Sequence, residues 1–155
     1  VNLTNLRTYL NDHFAGSVAA IHLLDHLQTA YGDRPEASQI RSLKAEVEYD
    51  QQLLKDLMDR YETQENPLKK AGAWLAEKAL ELKVSSAPND FELLQMLETL
   101  VLGIEGKLRL WRSLQSVDTG LDLPHLQSDA HRQIHQVELL RLEAAERAFS
   151  PAGNS

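Results

Sequence analysis

The chain's possible chemistry lies in 6 histidines and 23 acidic residues, since it contains no cysteine. In the stretch YLNDHFAGSVAAIHLLDHL, Tyr9 to Leu27, His13 and Ser17 fall mid-stripe where a helix would normally bury Leu or Ile. Asp50 is central among Ile40, Val47, Leu54 and Leu57, and Glu46 lies toward the edge of that face. In FELLQMLETLVLGIEGKLRLWRSL, Glu98 and Glu105 flank a wide apolar arc and Lys107 falls within it; Gln133 and Arg141 interrupt the last stripe. Ionised groups are costly in a core unless paired, so these residues should meet one another. Two chemistries fit. Carboxylates and an imidazole converging from several helices can hold iron or manganese, hard ions that want oxygen donors with His completing the shell. The candidate ligands are His13, Glu46, Asp50 and Glu105. Alternatively the same positions form a structural seam, His13 pairing with Asp50 and Glu46 with Arg141, which fixes helix register at some cost in stability.

The seam is the preferred reading. A di-metal bundle wants a Glu on each of two helices and Glu-x-x-His on each of the other two. Here the corresponding stretches read Glu46-x-x-Tyr49, Glu48-x-x-Gln51, Asp129-x-x-Arg132 and Glu138-x-x-Arg141. His131 and His135, one turn apart with Glu138 a turn further, have a spacing that can ligate a metal. Their face also carries Leu139, Leu142 and Phe149, which favours a contact with another subunit or with solvent. His22, Asp25 and His26 point away from the core stripe and read as solvated. There is no Gly-rich phosphate loop, nucleophile elbow or Ser-His-Asp spacing, and GIEGK at Gly103 lies inside a helical pattern without the strand a P-loop needs.

The elements that must position these residues are helices. Only 7 Gly and 5 Pro punctuate the chain, and the segments between them have helical periodicity. The first helix spans about Leu3 to Tyr31, stopped by Gly32 and Pro35; the second, about Glu36 to Tyr61. The third starts at Asn89 or Asp90 and runs to about Leu114, and the fourth opens at LPHL near Leu123. Residues 1–150 form one domain, and 151–155 a disordered tail. Between the second and third helices, Leu68, Ala71, Leu75, Ala79 and Leu82 recur at threes and fours, predicting a further amphipathic helix over 67–83.

Short links make the first and last helix pairs antiparallel hairpins, while the long middle connection can run the length of a bundle and deliver the third helix parallel to the second. That is the ferritin-like topology. With helices centred on their midpoints, His13, Asp50, Glu105 and Gln133 fall within about 5 Å of one level at a rise of roughly 1.5 Å per residue. Gly16, Ser17, Ala19 and Ala20, and Gly103 with Gly106, are expected to let helix axes approach closely, which narrows the room for a metal cavity. The wide apolar arc of the third helix calls for cover by the 67–83 helix or by a second subunit.

A net charge of -7 argues against nucleic-acid and anionic-membrane partners. No apolar run approaches the roughly 18 residues of a membrane span. The opening VNLTNLRTYL lacks the layout of a secretory signal, and the absence of cysteine suits a reducing compartment, so a cytoplasmic location is expected.

At YLNDHFAGSVAAIHLLDHL, KAEVEYDQQLLKDLMDR, NPLKKAGAWLAEKALELK and LETLVLGIEGKLRLWRSL the chain resembles a family of uncharacterised bacterial proteins of similar length. More distantly it is similar to the ferritin-like four-helix bundles, whose members include iron-storage proteins, oxidases and bundles that have lost their metal. The family resemblance implies a bacterial source and no particular activity. The expectation is therefore an all-α, ferritin-like four-helix bundle with an additional amphipathic helix in the connection between helices 2 and 3. It is expected to be non-catalytic and to need no cofactor, acting through protein-protein contacts as a dimer, another homo-oligomer or a helical adaptor. The alternative is a diverged iron or manganese protein or oxidase.

Overall fold

The computed structural model describes residues 1–63 and 87–151, so the helix expected over 67–83 and most of the expected tail lie outside the described residues. Four long helices account for nearly all of what is described: α1 (Leu3–Tyr31), α2 (Glu36–Arg60), α3 (Asp90–Ser113) and α4 (Leu123–Phe149), with a 3-10 turn, Leu114–Ser116, after α3. Among the described residues there is no strand.

The boundaries follow from local chemistry. Asn2 caps α1 by accepting a hydrogen bond from the Asn5 amide at 3.0 Å. Gly32 ends it with φ at 54°, where a side chain would be strained. α2 ends differently. Its cap is a Schellman arrangement in which the Thr63 amide donates to the Met58 carbonyl and the Glu62 amide to that of Asp59, with Glu62 at φ 50° where Gly is usual. Asn89 and Glu92 form a reciprocal capping box at the start of α3, and Asp122 caps α4 through the His125 amide.

Contacts between helices fix their directions. Arg7 Nε donates to the Tyr61 carbonyl at 2.7 Å and Lys44 pairs with Asp25 at 2.6 Å, so α1 and α2 are antiparallel. Arg112 meets His131 and Arg147 pairs with Asp90, which makes α3 and α4 antiparallel too. The Tyr9 hydroxyl donates to Ser113 Oγ at 3.1 Å, joining the start of α1 to the end of α3. Asp50 meets Lys107, and the ends of α2 and α3 come together where Tyr61 Oη donates to the Asp118 carbonyl, so α2 and α3 run the same way. The end of α2 and the start of α3 therefore lie at opposite ends of the bundle.

The core divides into two apolar clusters along the bundle axis. One gathers Leu24, Leu27, Ile40, Leu97, Leu100 and Ala144; the other Leu10, Phe14, Leu57, Trp111, Leu114 and Leu126. Buried Asp50 and Gln133 sit at the level between them, near the middle of their helices. On α1, Leu6, Leu10, Phe14, Leu24 and Tyr31 are buried as their helical spacing requires, joined by Asn11, Leu23 and Leu27, whereas Leu3 is 43% exposed. The apolar arc of α3 is buried at Leu93, Leu97, Leu100, Ile104, Leu108 and Trp111.

Candidate functional site

The polar level is organised by Lys107. Its Nζ donates to Asp50 Oδ2 at 2.5 Å and also to Gln133 Oε1, linking α3 to α2 and α4 through the centre of the bundle. The side chains of Lys107 and Asp50 are only 14% and 8% exposed, so each charge depends on the other for solvation. Burial pushes the Lys107 pKa down, and the carboxylate of Asp50 opposes that shift. Gln133 passes the network outward: its Nε2 donates to Glu46 Oε2 at 3.3 Å, and Glu46 accepts from Arg132 Nη2 at 2.8 Å. Arg132 also reaches Asp129 at 3.4 Å, closing the network at the α2–α4 surface.

These contacts revise the pairing expected from sequence. Asp50 pairs with Lys107 and not with His13, because an ammonium on a four-carbon stem reaches the centre from α3. Glu46 pairs with Arg132, while Arg141 turns along its own helix to Glu138, with Nη2 2.6 Å from Oε1. Lys107 was visible as a charge inside an apolar arc, and that interruption is the signal that could have found the pair. The four positions considered as metal ligands are not brought together as a set. Glu105 lies beside Arg109 on the outer side of α3 at 3.4 Å, and Glu46 and Asp50 already accept hydrogen bonds from Arg132, Gln133 and Lys107. Among the described residues no group of three or more His, Asp or Glu is placed to hold a metal ion.

His13 faces a cavity of about 280 Å³ between α1, α2 and α3. Its ring stacks edge-on against Tyr9 at 4.5 Å, and burial lowers its pKa below 6.5, opposed by Asp12. Asp50 and Lys107 form part of the same wall, as does Trp111 at the lower end. Ser17 donates to the Phe14 carbonyl at 2.6 Å and accepts from Gln51 Nε2 at 3.0 Å. Gly16, Gly103 and Gly106 also border the cavity, and a Cβ built on any of them meets nothing within 4 Å. The close helix approach expected at these glycines is therefore not what they provide; they leave space where a side chain would fill it.

None of the other histidines lines this cavity. His22 and His26 approach through their Nε2 atoms at 3.1 Å on exposed α1, and His131 contacts Arg112 at 3.3 Å. Leu139, Leu142 and Phe149 are 51%, 50% and 70% exposed on the outer face of α4. No helix among the described residues is long and apolar enough to cross a membrane. Comparisons of the chain with protein-family models, with curated proteins and with solved structures find no match.

Proposed function

We infer that the chain is a ferritin-like helical bundle without a catalytic metal centre, working through contacts made by its helical surface. One observation carries this reading: the central level, where a carboxylate-bridged metal pair would need free carboxylates, is taken up by the Lys107 ammonium held between Asp50 and Gln133. A cation already neutralises Asp50, and a metal there would have to displace it. The ferritin-like assignment is supported by α2 and α3 running the same way while the chain between them joins opposite ends of the bundle. The contact surface that fits best is the outer face of α4, where Leu139, Leu142 and Phe149 form an exposed apolar row at helical spacing and a second copy would bury it.

Two measurements test this. Elemental analysis of untagged protein from cells grown with added iron and manganese is expected to find no stoichiometric metal. About two equivalents per chain, lost in Asp50→Ala, would overturn the reading in favour of a di-metal protein. Sedimentation of the native chain and of Leu139→Glu/Leu142→Glu is expected to show a dimer that the paired substitution dissociates. A native chain that stays monomeric at high concentration removes self-association through α4.

A further inference from the structure

Away from the Lys107 level, α1 carries two histidines whose arrangement exposure alone does not explain. His22 and His26 are one helical turn apart, His22 exposed and His26 half-buried. Two solvated imidazoles gain little from touching, since each ring nitrogen can bond to water instead. Yet their Nε2 atoms lie 3.1 Å apart and their ring centroids 4.6 Å apart. A linear N–H···N hydrogen bond would hold the centroids about 5.4 Å apart, one ring radius beyond each nitrogen. Two rings aimed at one ion, with each nitrogen about 2.1 Å from it and the bonds near a right angle, put the nitrogens about 3.0 Å and the centroids about 4.6 Å apart. Both observed separations match the second arrangement. The helix holds it ready: Leu23, Leu24 and Leu27 are buried in the core, so positions 22 and 26 are fixed before anything binds.

We propose that His22 and His26 chelate one borderline divalent transition-metal ion of the zinc, nickel and copper class, with water filling its remaining positions. The class follows from the donors. Neutral imidazole nitrogen suits these ions, whereas magnesium and calcium want oxygen. Iron(II) and manganese(II) stand lower in the affinity order, which separates this site from a carboxylate-bridged centre in the middle of the bundle. Among the described residues the pair has no third protein ligand at hand. Asp25, on the same helix face, is held by Lys44 at 2.6 Å, and the same ammonium lies 3.5 Å from Glu48. Structural zinc sites use four protein ligands, so two imidazoles make an exchangeable site open to solvent. Both rings carry their proton on Nδ1 when the ion is bound, which leaves both Nε2 lone pairs to it. The site is independent of the Lys107 network and of how the outer surface of α4 is used.

The test uses the untagged full chain, stripped of metal with EDTA, in a non-coordinating buffer above the ordinary imidazole pKa. Zinc, copper(II) and magnesium chlorides are titrated separately by calorimetry, and the melting temperature is followed. Zinc is expected to bind this pair saturably and raise the melting temperature, copper(II) to bind more tightly, and magnesium to give no response. His22→Gln and His26→Gln each remove one arm of the chelate and are expected to weaken zinc at least about tenfold, with the helical circular dichroism retained. His131→Gln/His135→Gln removes the other histidines one turn apart and is expected to leave zinc affinity within about twofold, since His131 is turned to Arg112. The proposal is overturned if neither zinc nor copper(II) gives a saturable response, or if His26→Gln binds zinc as tightly as the native chain. It is equally overturned if the response is lost in the His131→Gln/His135→Gln chain and kept in the His22→Gln chain.

Discussion

On the α2–α4 side of Lys107 the polar side chains form a chain of mutual contacts, from Asp50 through Lys107 and Gln133 to Glu46 and Arg132. On the α1–α3 side the same lysine borders a cavity edged by glycines, and the buried indole N–H of Trp111 has no hydrogen-bond partner among the described residues. The contrast shows how a buried charge can be tolerated unevenly. One flank compensates the ammonium and fixes the register of three helices, and the other is left open where packing alone would have closed it.

The sharpest way to break the comparison is to remove the carboxylate from the satisfied side. Asp50→Ala should cost about 3–5 kcal/mol in chemical denaturation, because Lys107 is left buried and uncompensated. Asp50→Leu with Lys107→Met should recover most of that loss, since a buried ion pair often exchanges for apolar residues at little net cost. If the single and double variants are equally unstable, the pair is not the element that organises the centre.

Filling the open side should act in the opposite direction. Gly16→Ala, Gly103→Ala and Gly106→Ala are each expected to stabilise by about 0.5–1 kcal/mol, since the methyl meets no neighbour and the helix gains propensity. Combined, they should raise the denaturation midpoint measurably, and a lowered midpoint would mean that the helices close at these glycines in solution.

His13 makes the open side sensitive to pH. Its folded pKa lies below 6.5, so between the folded value and 6.5 the unfolded chain binds more protons. Stability should therefore rise with pH through that window and be lost as pH falls through it. His13→Gln should flatten this part of the profile, and an unchanged slope would assign it to other groups. The smallest effect is expected at Glu105, whose pair with Arg109 is exposed and one helical turn in span. Glu105→Ala should shift stability by less than about 0.5 kcal/mol, and a larger loss would mean that Glu105 belongs to the central network after all.

Residue patterns alone located the four helices nearly to their ends. The sequence also marked Asp50 and Gln133 as meeting at one level, because rise per residue converts position in a helix into height. It placed Glu105 at that height as well, but height says nothing of direction, and the side chain faces outward beside Arg109. The partners were harder to read. Lys107 and Arg132 displaced His13 and Arg141 as the cations of the seam, since long flexible side chains reach across helices in ways that periodicity does not encode.

What the amino-acid order determined by itself was therefore local: the caps at Asn2, Asn89 and Asp122, the stop at Gly32, the apolar faces and the cost of placing charge among them. Those depend on interactions within a few residues along the chain. Which charges meet, and whether Gly16, Gly103 and Gly106 draw helices together or hold space open between them, was decided only by tertiary structure. A glycine contributes no side chain of its own, so its meaning is set by the distance to what lies opposite, and that distance exists only once the helices have packed.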